Sequence, residues 1–94
     1  MHEFELSEKL QKILKKLLKK DNKRYEILMK KIEEICSNEN IEHYKNLSNE
    51  MKEFKRVHLD SHFVLTFKHI KKTDLNRFED FQHHDVIYRK KQSN

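Results

Sequence analysis

Two short stretches hold most of the residues that could do chemistry. "KEFKRVHLDSHF" carries His58 and His62 behind Lys52, Lys55 and Arg56, and "FQHHDVIYRKK" carries His83, His84, Asp85, Tyr88 and Arg89. Cleavage of a phosphodiester by its own 2′-hydroxyl needs a base for that proton, an acid for the leaving oxygen and cations for the charge that builds on phosphorus. Imidazole is the side chain that serves as base or acid near neutral pH, so His58, His62 and His84 are the candidate proton carriers. Lys52, Lys55 and Arg56 are the candidate phosphate binders nearby, although strand alternation sets Lys55 on the other face of the sheet from Arg56 and His58. Tyr88 either stacks on a base or closes the hydrophobic core. Arg89, with Lys90 and Lys91, either grips phosphate or forms a solvated basic tail.

Metal chemistry competes for the same residues, because His58, His62, His83, His84 and Asp85 are ligand types. No spacing among them matches a zinc signature, and His83, next to His84, is expected to point the other way. The reading is therefore of a site with no metal and no cofactor. Cys36 is the single cysteine. It has no disulfide partner and no second thiolate, and its periodic position marks a small buried hydrophobe.

The elements that must position these side chains follow from periodicity. Ser7 caps a helix with an apolar stripe of Leu10, Ile13, Leu14, Leu17 and Leu18. Asp21 or Asn22 starts a second helix with Tyr25, Leu28, Met29, Ile32, Ile35 and Cys36 on one side, and "SNEN" ends it. The short link makes the pair an antiparallel hairpin. From about Met51 the pattern shortens to strands, "KEFKRVHL", "HFVLTFKHI" and "LNRFEDFQ", which read as an antiparallel meander. The fold class is α+β, with a helical hairpin over about 7–38 packed on one face of a small antiparallel sheet over about 51–90, all in one domain spanning 1–94.

The chain has 94 residues and no Gly or Pro. Without glycine, a tight primed turn between the first two long strands is unfavourable, so a three-residue loop from Leu59 to Ser61 is expected. It pairs His58 with His62, Val57 with Phe63 and Lys55 with Leu65. Val57, Phe63, Leu65 and Phe67 then face the helices, while Phe54, Arg56, His58, His62, Val64 and Thr66 form an opposite, basic face. Phe78 and Phe81 differ in parity, so a bulge must interrupt the last strand. His84 and Tyr88 share a side in either a helical turn or a strand.

Net charge is +5, with 21 Lys+Arg against 16 Asp+Glu, which suits a polyanionic partner. No apolar run approaches the roughly 20 residues of a membrane span, so a cytoplasmic protein with no membrane partner is expected.

"LSNEMKEFKRVHLDSHFVLTF" and the closing "HHDVIY" resemble the RelE/ParE superfamily of prokaryotic toxins, especially its YafQ-like members. The resemblance implies a type II toxin that enters the ribosomal 30S A site and cuts mRNA without a metal, leaving a cyclic phosphate, and a cognate antitoxin that masks it. It places His58 and His84 at catalytic histidines and Tyr88 at the catalytic or stacking aromatic. His62 falls where YafQ-like members usually carry aspartate, and Lys45 where another active-site histidine is often found, so Lys45 reads as a phosphate holder. Two other functions fit the same fold: a ParE-like inhibitor of DNA gyrase, and a non-catalytic nucleic-acid-binding module.

Overall fold

The computed structural model describes residues 2–47 and 53–87. Strand β1 (Glu3–Leu6) leads into helices α1 (Glu8–Lys20) and α2 (Asn22–Ser37), and a short 3-10 turn (Ile41–His43) leads toward strands β2 (Lys55–Leu59), β3 (Phe63–Ile70) and β4 (Leu75–His83). A helical turn follows over 84–87. The sheet order is β1-β4-β3-β2. As expected, β2, β3 and β4 pair antiparallel. The short N-terminal strand adds along β4 in parallel, which makes the whole sheet mixed.

The helix boundaries fall where capping chemistry puts them. The Ser7 hydroxyl accepts from the Leu10 amide at 3.0 Å, satisfying one of the orphan donors of the first turn. Asp21 ends α1 and caps α2, its carboxylate accepting from the Arg24 amide at 3.1 Å. Leu10, Leu14, Leu28, Ile32, Ile35 and Cys36 are buried against Leu59, Leu65, Phe67, Phe78 and Phe81 of the sheet. Burial raises the pKa of the Cys36 thiol, with a smaller opposing effect from its contact with Asn76.

The predicted irregularity is a bulge in β4. Thr66 pairs with Asp80 but Phe67 pairs with Phe78, leaving Glu79 as the extra residue. The slip lets both Phe78 and Phe81 enter the helix-side core despite their parity. Ser7 fastens the bulge to the helix it caps. Its amide donates to the Phe78 carbonyl at 2.9 Å, and its hydroxyl donates to the Glu79 carbonyl at 2.6 Å.

The β2–β3 register differs from expectation by two residues. Leu59 pairs with Phe63, Val57 with Leu65 and Lys55 with Phe67, so the loop is Asp60 to His62. A shift of two preserves alternation, and the faces of β2 and β3 are as read. The physical reason is Leu59. Left in a loop it would forfeit the roughly 2 kcal/mol that burying a leucine contributes, whereas in the strand it is buried in the core. The opposing cost is conformational, since Asp60 (φ 52°) and Ser61 (φ 58°) both adopt the left-handed region without being glycine.

The face opposite the helices is only partly open. Val64 and Thr66 are buried there, and Val64 packs with Leu47, Ile87 and half-buried Phe54 in a second small core. Periodicity within the strands could not show this cover, because Leu47 and Ile87 come from outside them.

Candidate active site

The three-residue loop and the end of β4 meet at one end of the sheet. The His84 amide donates to the His62 carbonyl at 2.7 Å, joining them through the main chain. On this frame the rings converge. His62 and His83 lie 5.9 Å apart between centroids and nearly parallel, His62 and His84 6.4 Å apart, and His83 and His84 4.6 Å apart. One ring nitrogen from each lies within 4.8 Å of the others.

His83 therefore joins the cluster, contrary to the expectation that it points away. The reason is that β4 ends at His83 and a helical turn begins at His84, so strand alternation no longer separates the two neighbours. The ring of His83 also meets Phe63 edge-on at 5.8 Å. Asp85 stands behind the pair, with carboxylate oxygens 3.0 Å from His84 Nδ1 and 3.6 Å from His83 Nδ1.

His58 projects from β2 on the opposite face, with its Nδ1 3.4 Å from an Arg56 guanidinium nitrogen. Its pKa is lowered, first by partial burial, then by the Arg56 charge and then by His84. His58 is thus neutral at pH 7, and His84 is near enough to act on it electrostatically. Lys45 is exposed alongside, where its carbonyl accepts from the Arg56 amide at 2.8 Å.

Lys55 does not join this group. It lies on the helix side of the sheet, 6% exposed, with its ammonium donating to the Tyr44 carbonyl at 3.2 Å and Asn46 Oδ1 at 3.0 Å. Glu42 stands 3.7 Å away. Its parity in β2 carries it away from His58, and those partners occupy the charge. Lys52, Tyr88 and Arg89 lie outside the described residues.

Arg24 is a residue that the sequence did not single out. From the first turn of α2 it reaches Asp60 at 3.1 Å and Asp21 at 2.6 Å, and its guanidinium sits 4.3 Å over the Phe63 ring. It ties the strained loop beneath His62 to the helical hairpin. The only available signal was a lone arginine among the helical lysines.

A Methanocaldococcus jannaschii protein named "Putative toxin RelE4" is 47% identical to this chain over 91 residues, covering 97% of this chain and 95% of its own length. The chain belongs to the RelE toxin superfamily. No family model matches it. The fold of this RelE-family chain is similar to that in the crystal structure of the intact E. coli RelBE toxin-antitoxin complex, with a TM-score of 0.69, 19% identity, and coverage of 88% of this chain and 96% of the other. It is also similar to a point mutant of E. coli YafQ, with a TM-score of 0.63, 21% identity, and coverage of 94% and 99%. Among the described residues, no helix is long and apolar enough to cross a membrane.

Proposed function

We propose that this RelE-family toxin is an endoribonuclease that enters the 30S A site and cuts mRNA on the ribosome, using its own imidazoles to move protons. The observation that carries this reading is the convergence of His62 and His84 at one open end of the sheet, with the Arg56–His58 pair carried by β2 just before the same loop. Neutral His58 is the base that takes the 2′-hydroxyl proton. The freed oxygen attacks phosphorus, and His84 gives a proton to the departing 5′-oxygen, leaving a 2′,3′-cyclic phosphate. Asp85 accepts from His84 Nδ1–H and so leaves Nε2 as the working nitrogen. Arg56 holds the phosphate. Its bond to His58 Nδ1 is long, and a phosphate that recruits the guanidinium frees that nitrogen for proton transfer. His62 adds a third imidazole, Lys45 extends the phosphate track, and Tyr88, Lys52 and Arg89 supply stacking and further phosphate contacts.

A cognate antitoxin completes the proposal, supported by the likeness to the RelBE complex. Exposed Phe4 and Leu18, 48% and 52% accessible, offer apolar footholds for an amphipathic antitoxin segment. The toxin then works in the cytoplasm, where its ribosomal substrate is.

Primer-extension mapping of transcripts after brief expression tests the reading. Cuts should fall inside translated codons, and His84→Ala should lower the rate by about 100- to 10,000-fold. Cuts that persist in His84→Ala would sink it. Lost supercoiling with intact mRNA would point to a gyrase inhibitor.

A further inference from the structure

His62, His83 and His84 also have the makings of a different kind of site. A cation at the centre of a triangle of 4.8 Å edge would stand about 2.8 Å from each nitrogen, against roughly 2.0–2.1 Å for a zinc–imidazole bond. Each nitrogen therefore has less than about 1 Å to travel, and the stacked rings must also turn so that their in-plane lone pairs converge on the ion. The main-chain bond from His84 to His62 already fixes the two supporting segments, so only side-chain torsions need adjust.

Asp85 supplies what a bound metal needs behind its ligands. A carboxylate on Nδ1–H keeps the lone pair on Nε2 and makes it a better donor, and this one carboxylate faces Nδ1 of both His83 and His84. The Asp85 amide now donates to His83 Nδ1 at 3.2 Å. Coordination through Nε2 replaces that contact with Nδ1–H donating to the carboxylate. Three neutral nitrogens suit zinc, cobalt, nickel or copper rather than magnesium or calcium, which take oxygen ligands.

We propose that His62, His83 and His84 form a three-imidazole site for a zinc-class divalent cation, with Asp85 behind two of the ligands and the fourth position open to solvent beside exposed His62. Occupancy ties up the His84 nitrogen that donates the proton, so metal and cleavage exclude one another. That consequence rests on the nuclease reading, whereas the binding does not.

Calorimetric titration of zinc chloride into the untagged, chelator-stripped full chain is the test. One ion per chain is expected, with a thermal midpoint that rises with zinc concentration and not with magnesium. His83→Ala and His62→Ala should each weaken binding at least tenfold, and Asp85→Asn by about 10-fold. The metal-free thermal midpoints of the variants establish that they fold. Absence of saturable uptake by the parent chain overturns the site. So does uptake unchanged in His83→Ala, which would place the ion elsewhere on the chain. A chain that takes up zinc but, when chelator-stripped, cuts no mRNA refutes the nuclease reading alone, and one that cuts but takes up no zinc refutes the site alone.

Discussion

Ser7 has one hydroxyl and two tasks, and replacing it with alanine is expected to cost about 2 kcal/mol of stability. The first task is the cap of α1, through the bond accepted from the Leu10 amide; such a cap contributes about 1 kcal/mol. The second is the bond donated to the Glu79 carbonyl in the β4 bulge, a part-buried contact at 2.6 Å. A bond of that kind contributes roughly 0.5–1.5 kcal/mol, with more lost if the carbonyl is left dry. For a chain of this size the sum should lower the thermal midpoint by about 10 °C. Two further variants separate the tasks. Ser7→Thr keeps both bonds and should stay within about 1 kcal/mol of the parent. Ser7→Asp still caps the helix but, ionised, has no proton to give Glu79, so it should recover only the cap. Denaturant and thermal unfolding measure all three. A loss below about 0.5 kcal/mol in Ser7→Ala, or an aspartate variant as stable as the parent, would refute the double role.

Three more predictions concern the site and its supports. Ser61→Gly should raise stability by about 1 kcal/mol in urea unfolding, because the left-handed conformation that strains serine costs glycine little; no gain would mean that the loop is not strained. Arg56→Gln should raise the His58 pKa toward its ordinary value by removing a neighbouring positive charge, as read from the imidazole resonances during a pH titration. For the same reason the parent's His58 favours the fold most above the unfolded histidine value of about 6.5, and that contribution declines as pH falls through it, since the unfolded chain takes the proton first. Lys55→Met should lower stability by roughly 1–3 kcal/mol, since it removes the buried ammonium's bond to the carbonyl of half-buried Tyr44, while leaving RNA affinity unchanged in a filter-binding assay.

What the sequence revealed and what it hid have the same cause, the range over which side chains act. Helix ends were readable because Ser7 and Asp21 act on amides three residues away. The bulge was readable because Phe78 and Phe81 cannot both be buried in an unbroken alternation. The faces of β2 and β3 survived a misplaced register because alternation repeats every two residues, while the register itself depended on Leu59 finding a place in a core built by distant helices. The second core was hidden because Leu47 and Ile87 lie far from Val64 in the chain. Of the proposed site, His58, His62 and His84 were chosen by type. The place of His83 needed the exact residue at which a strand gives way to a helical turn, whereas the facing of Lys55 was legible, because strand alternation separates it from His58 in either register.

The bond between the His84 amide and the His62 carbonyl involves no part of either ring. The framework that brings the imidazoles together is thus indifferent to the imidazoles themselves. A disarmed copy bearing other side chains at these positions should keep its shape, remain recognisable to whatever silences the active form, and serve as a decoy that sequesters it.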